Sequence, residues 1–203
     1  MSRPGKQLKY LNLVCDLMPM TLSQYNNQLN SHCMETADNL VIETIKKLSR
    51  KVFEGLAELH ERGIAHRDIK PENILVDQAT SSAKICDFGS AKQLDTHNYG
   101  FRINPETGVM TSSNQTGSVT YISTRYYRAP ELLYGNPYYG TEIDLWAAGC
   151  VMAELFSEKT SVYAASTSTL DGKPHSYNHV LFRGQSNPHQ LALIHKAKGI
   201  PTA

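Results

Sequence analysis

The run HRDIKPEN at His66–Asn73, followed by DFG at 87–89, constrains this chain more than any other feature of its sequence. The first motif holds an aspartate, a lysine two residues later and an asparagine five residues later, and the second adds another aspartate. Phosphoryl transfer from a nucleotide needs this set: a base that orients the attacking hydroxyl, a cation near the moving phosphoryl and oxygen ligands for Mg²⁺. The two motifs together therefore predict a phosphoryl-transfer site.

Hydrophobic periodicity predicts the elements around these motifs. Apolar residues recur at steps of three and four from Val41 to Leu59, which predicts a long helix capped by Asp38 and ended by Gly63. Before it we expect a β-prone run at 10–15 and a short helix at 21–29, and after it a hairpin with strands at 74–76 and 83–86. Further on we expect a long loop from 93 to 123, a buried helix opened by a Thr141–Asp144 capping box, and a last helix that starts at Asn187–Pro188 and stops at Gly199.

Composition narrows the class of protein. The chain has 203 residues, of which 40% are hydrophobic and 19% charged, as in an ordinary soluble domain. A formal net charge of +1 gives no reason to expect a nucleic acid or a membrane as partner. The four cysteines form no Cys-x-x-Cys pair, which argues against a zinc site and favours free thiols in a reducing compartment. We therefore expect a cytoplasmic or nuclear protein.

Longer motifs support a family resemblance. KICDFGSAK at 84–92, STRYYRAPELLYG at 123–135 and DLWAAGCVMAEL at 144–155 resemble the corresponding motifs of eukaryotic serine/threonine protein kinases. DFGSAKQL and LFRGQSNPHQL are most similar to the glycogen synthase kinase-3 family. The resemblance implies an α+β, protein-kinase-like fold with a mainly α-helical C-lobe, a short hinge strand and small β-hairpins. Residues 1–20 would form the hinge strand and hinge, and 21–203 the C-lobe, with insertions near 95–118 and 158–180.

Other motifs of such kinases are not found in the sequence. No G-x-G-x-x-G loop and no V-A-I-K motif occurs in it, so we expect a partial kinase domain without the N-lobe sheet and the terminal C-lobe helices. Three interpretations stay open: a kinase represented in part, a catalytically impaired, pseudokinase-like binding scaffold, and a product without a stable fold. By the resemblance, Glu131 pairs with an arginine of a later helix, and without that partner we expect its carboxylate to stay solvated.

The resemblance implies a role for each residue of the catalytic motifs. Asp68 would accept the proton of the substrate hydroxyl, Lys70 would steady the γ-phosphate, and Asn73 and Asp87 would hold Mg²⁺. The remaining ATP contacts would come from residues of the hinge, the catalytic loop and the hairpin, namely Cys15, Asp16, Met18, Glu72, Leu75 and Cys86. The implied cofactors are ATP and Mg²⁺, and the implied partners are protein substrates and scaffold proteins.

Two phosphate-binding features also follow from the resemblance. Arg67 and Lys92 would form a pocket for a phosphate already present on a primed substrate. Tyr121 would be the phosphotyrosine of the activation loop, and its added charge near Arg125 and Arg128 would order that loop.

Overall fold

The computed structural model describes residues 12–31, 38–94, 101–103, 110–112, 122–157 and 180–199. The helices of this part are α1 (Leu22–Ser31), α2 (Asp38–Glu61), α3 (Pro130–Leu133), α4 (Glu142–Ser157) and α5 (Asn187–Lys198). The strands are β1 (Met20–Thr21), β2 (Ile64–Ala65), β3 (Ile74–Asp77), β4 (Ser82–Ile85), β5 (Lys92–Gln93), β6 (Phe101–Ile103) and β7 (Met110–Ser112). Helices with small antiparallel sheets confirm the expected α+β class.

Helix α2 forms where the periodicity predicts it. Its apolar residues Ile45, Leu48, Val52 and Leu56 are all buried in one core, which they share with residues of α4. Burying a side chain of this size contributes about 1.5–3 kcal/mol relative to leaving it exposed. Gly63 follows the helix with a φ of 67°, a conformation that glycine adopts without strain. The chain therefore turns sharply from the end of α2 into the first motif.

Two small antiparallel sheets bring the chain segments that flank the two motifs together. Strands β1, β3 and β4 form one sheet in that order, and Ile74 pairs with Ile85 in the predicted hairpin. Strands β2 and β5 form another, in which Ala65 pairs with Lys92. Because β2 immediately precedes HRDIKPEN and β5 follows DFG, this pairing brings the two motifs to the same place.

The prediction of a strand at 10–15 is wrong for residues 12–15, which have no regular secondary structure. Leu13 and Val14 are 83% and 95% exposed. A strand is stabilised by backbone hydrogen bonds to a neighbour, and among the described residues none pairs with this run. Within the expected loop at 93–123, strands β6 and β7 form a small ladder with Phe101 opposite Ser112. The rest of that loop and the insertion near 158–180 lie outside the described residues.

Both later helices begin where the sequence predicts, α4 at Glu142 and α5 at Asn187, but other residues than expected cap their first turns. The predicted capping box of α4 is wrong, because Asp144 directs its carboxylate to another loop and Glu142 instead accepts a hydrogen bond from the Gly140 amide at 2.7 Å. The N-cap of α5 is Ser186, whose hydroxyl accepts from the His189 amide at 3.3 Å. Gly199 ends α5 as expected, with a φ of 84°.

No helix in the described ranges is long and apolar enough to cross a membrane.

Candidate active site

One buried carboxylate fixes the start of the HRDIKPEN loop at 66–73, which we call the catalytic loop after its counterpart in the resemblance. Asp144 of α4 is 1% exposed and accepts hydrogen bonds from the backbone amides of His66 and Arg67, each at 2.8 Å. The Nε2 atom of His60, on α2, donates to the same carboxylate at 3.0 Å. Hydrogen bonds to a charged acceptor are worth more than neutral ones, and more still away from water. Helices α2 and α4 therefore hold the loop from two sides.

The ring of His66 joins the two motifs. Its Nε2 atom donates to the carbonyl of Cys86 at 3.0 Å, and its Nδ1 atom accepts from the Asp68 amide at 3.3 Å. The ring also packs edge-on against Phe88 of DFG, with centroids 5.2 Å apart. Since His66 is completely buried, these contacts fix the Asp68 backbone relative to DFG.

Asp68 lies at the centre of the side chains that the sequence singled out. Lys70 Nζ donates to its Oδ2 atom at 2.7 Å, and the amide nitrogen of Asn73 donates to the same oxygen at 3.1 Å. Burial raises the pKa of Asp68, but the Lys70 ammonium and the hydrogen bonds from Thr124 outweigh it and hold that pKa below its usual value. The carboxylate is therefore ionised at neutral pH and is held in one orientation.

Thr124 was missed by the sequence analysis, although it lies within the STRYYRAPELLYG motif. Its backbone amide and its hydroxyl both donate to Asp68 Oδ1, at 3.1 and 3.3 Å, and its hydroxyl also accepts from Lys70 Nζ at 3.3 Å. A threonine so far along the chain carries no local signal of this contact. Its position just before RYYRAPE is the only clue that the sequence contains.

The pair proposed for Mg²⁺ offers oxygen ligands of the kind this ion prefers. Asn73 uses its amide nitrogen for the bonds to Asp68, which leaves its amide oxygen for a cation. Asp87 is exposed, has a φ of 63°, and accepts from the Gly89 amide at 3.2 Å through one carboxylate oxygen. The Cys86 amide donates to the Asn73 carbonyl at 3.0 Å, so the two segments lie side by side. This donor set fits a magnesium ion shared with phosphate oxygens and water.

The residues proposed to contact adenine and ribose are spread over the hinge and the hairpin. Cys15 and Asp16 are exposed, and Asp16 forms an ion pair with Lys84 of β4. Met18 is half-buried, as is Leu75, which pairs across the sheet with Thr21 and Lys84. Glu72 is exposed on the 3₁₀ turn Pro71–Asn73, and Cys86 is half-buried, which raises the pKa of its thiol. The hinge residues are thus linked to the catalytic loop through the hairpin.

The cations proposed to bind phosphate already have hydrogen-bond partners. Arg67 has a φ of 69°, and its guanidinium donates to the Ser90 carbonyl at 2.6 Å and to the Tyr139 hydroxyl at 3.1 Å. Lys92 lies nearby, because β5 pairs with β2 two residues before Arg67. Tyr121 lies outside the described residues.

The carboxylate of Glu131 is less solvated than the sequence analysis predicts. It is half-buried, and no ion pair to it occurs within the described ranges. Burial raises the pKa of its carboxyl, and the negative charge of Glu142 raises it further. The carboxylate therefore carries a desolvation cost that no described cation offsets.

Comparison with known proteins agrees with this geometry. Residues 6–190 match the protein kinase domain family. The chain is similar to glycogen synthase kinase 1 of Pyricularia oryzae, with 39% identity over 193 residues, which is 95% of this chain and 38% of that protein. The chain therefore spans little more than a third of the length of this curated relative. The match confirms the resemblance drawn from the motifs.

Proposed function

Because this chain belongs to the protein kinase family, we propose that it transfers the γ-phosphoryl group of ATP to serine or threonine hydroxyls of protein substrates. The observation that carries the proposal is the arrangement around Asp68, whose two carboxylate oxygens are held by Lys70, Asn73 and Thr124. The similarity to a protein named glycogen synthase kinase supports serine and threonine as acceptors.

Asp68 would act as the proton acceptor. Its lowered pKa keeps it ionised, and an ionised carboxylate can orient a substrate hydroxyl and take its proton as the oxygen attacks. The bonds from Thr124 fix one oxygen, so the carboxylate cannot rotate away from the incoming hydroxyl. General-base catalysis of this kind contributes about 10²–10⁴-fold to a rate.

Lys70 would stabilise negative charge on the transferred group. Its ammonium lies 2.7 Å from Asp68, and so beside the place where attacking oxygen and phosphoryl would meet. Magnesium, held by Asn73 and Asp87, would neutralise charge on the nucleotide phosphates. The hydrogen bonds of Asn73 to Asp68 orient its amide oxygen for that task.

A primed substrate would place its existing phosphate against Arg67 and Lys92. What supports this part of the proposal is the strand pairing that brings Lys92 next to the start of the catalytic loop. The phosphate would have to take the place of the Tyr139 hydroxyl or the Ser90 carbonyl on the Arg67 guanidinium. A phosphate is a stronger acceptor than either, because it is itself negatively charged, so that both partners of each hydrogen bond would carry charge. Phosphorylation of Tyr121, scaffold partners and a cytoplasmic or nuclear location belong to the same proposal.

The test is phosphotransfer by the purified 203-residue chain. A serine/threonine peptide library, unprimed and phosphoserine-primed, is incubated with radiolabelled ATP and Mg²⁺, and the phosphorylated residues are identified by mass spectrometry. We expect Asp68→Asn to lower turnover by about 10²–10⁴-fold. The matched control is Asp77→Asn, at the end of β3, whose half-buried side chain accepts an exposed hydrogen bond and which should leave turnover unchanged.

Two outcomes would contradict the proposal for this chain. Turnover that survives Asp68→Asn would show that Asp68 is not the base. Binding of ATP and Mg²⁺ by titration calorimetry without any turnover would favour the pseudokinase-like scaffold instead.

A further inference from the structure

Helix α5 is tied to the residues that hold Asp68. We call residues 122–128, which contain Thr124, the Thr124 segment. Arg125 Nη1 donates to the Gln185 carbonyl at 3.1 Å, and Arg128 Nη1 donates to the Asn187 side chain at 3.3 Å. The guanidinium of Arg128 also donates to the carbonyls of Ile122 and Ser123, at 2.9 and 2.8 Å. The segment is thus fastened to the chain around the start of α5 by two arginine hydrogen bonds, and Arg128 also braces the segment internally.

Gln190 forms the most deeply buried of these ties. Its side chain is 0% exposed, and both of its polar atoms are used. Its Oε1 atom accepts from the Gly184 amide at 2.7 Å, and its Nε2 atom donates to the Tyr126 carbonyl at 3.1 Å. A buried amide with both ends satisfied fixes the distance between the groups it joins, because neither partner can move away without leaving a buried polar atom unpaired.

Gly184 is shaped to receive Gln190. A Cβ atom at residue 184 would overlap the side chain of Gln190 and also the nitrogen and Cα of its backbone. Backbone atoms in the first turn of a helix cannot shift aside as the end of a flexible side chain can. The FRGQSNPHQ run therefore needs glycine at 184 and a long amide at 190 as a matched pair.

The tie at Tyr126 leads directly to Asp68. Tyr126 is the middle residue of the 3₁₀ turn Arg125–Tyr127, and the turn closes when the Tyr127 amide donates to the Thr124 carbonyl at 3.0 Å. Thr124 in turn gives Asp68 two hydrogen bonds. A shift of the Tyr126 carbonyl is thus transmitted through one short turn to the carboxylate.

We propose that Gln190 is a positioning residue, which sets the place of the Thr124 segment and through it the orientation of Asp68. Gln190 acts without touching the substrate. The consequence for phosphotransfer rests on the proposed function, whereas the link between Gln190 and the Thr124 segment does not depend on it. The two can therefore be tested separately.

The experiment compares wild type with Gln190→Glu and Gln190→Met. The first keeps the shape and the acceptor for Gly184 but removes the donor to Tyr126, and the second removes both polar atoms at similar volume. Amide hydrogen exchange is measured by mass spectrometry on the whole chain. We expect amide exchange in 122–128 to be about fivefold faster in the variants, because the loss of one hydrogen bond changes the local opening equilibrium by about that factor. Exchange in 74–85 should be unchanged. Gln93→Met is the matched control, because Gln93 also donates to a backbone carbonyl, that of Arg62 at 2.6 Å.

Three results would overturn the proposal. In the first, both variants exchange residues 122–128 at the wild-type rate. In the second, exchange accelerates equally in 122–128 and 74–85. In the third, both variants lose the circular-dichroism spectrum of the folded chain. The last two would show that Gln190 serves only the stability of the whole chain. In the phosphotransfer assay, Gln190→Glu should lower kcat at an unchanged KM for ATP. A wild-type chain without turnover would refute the proposed function and leave the exchange result intact.

Discussion

Asp144→Asn is the sharpest test of how the catalytic loop is held. One carboxylate oxygen of Asp144 serves His66 and His60, and the other serves Arg67. An asparagine can present only one oxygen, so its NH₂ group would face at least one buried N–H donor. The substitution keeps the shape of the side chain and changes only its charge and hydrogen bonding.

The expected cost follows from those contacts. A hydrogen bond to a charged group is worth about 1.5–3 kcal/mol, and an unsatisfied buried donor costs about 1–3 kcal/mol. Because these two terms overlap, we expect a loss of about 3 kcal/mol in the free energy of unfolding. For a chain of this size, that corresponds to a fall in Tm of about 6–12 °C.

Urea unfolding followed by fluorescence measures this change. The chain has one tryptophan, Trp146, which lies two residues after Asp144 and stacks on Phe182. Its fluorescence therefore reports on the same region. Asp77→Asn is the control, since the Asp77 carboxylate accepts only exposed hydrogen bonds, and it should change stability by less than about 0.5 kcal/mol. A loss below about 1 kcal/mol for Asp144→Asn, at an unchanged m value, would refute the reasoning.

Three further substitutions test other parts of the structure. Glu131→Gln should raise Tm at pH 8 and have little effect at pH 4, because a carboxyl with a raised pKa destabilises the fold as pH rises through that pKa. A larger gain in Tm at pH 4 than at pH 8 would contradict the raised pKa. Gly184→Ala should lower Tm, because the new Cβ meets the Gln190 backbone, and an unchanged melting curve would contradict that packing. Tyr127→Phe should cost about 1–3 kcal/mol in urea unfolding, because it removes the hydrogen bond that the Tyr127 hydroxyl donates to the Glu154 carboxylate at 2.8 Å. A neutral result would contradict a stabilising role for that hydrogen bond.

Local patterns in the sequence were enough to predict the main elements near the site. The three- and four-residue spacing in α2, the turn between β3 and β4, and the glycine after α5 each act over a few residues. The order of residues in HRDIKPEN and DFG also predicted the proposed chemistry, because phosphoryl transfer requires groups of those types.

Contacts between distant parts of the chain decided the rest. Asp144 fits the sequence pattern of a helix cap, yet its carboxylate lies buried against amides of a loop more than 70 residues earlier in the chain. Thr124 and Gln190 lie within motifs, but no local pattern predicts their contacts, because their roles exist only when three separate segments pack together. The predicted hinge strand failed for the complementary reason, since a β-prone run becomes a strand only beside a partner. Sequence alone thus determined which groups are present and what reaction they suit, while tertiary packing determined which of them reach Asp68, because hydrogen bonds between remote residues depend on the folded geometry.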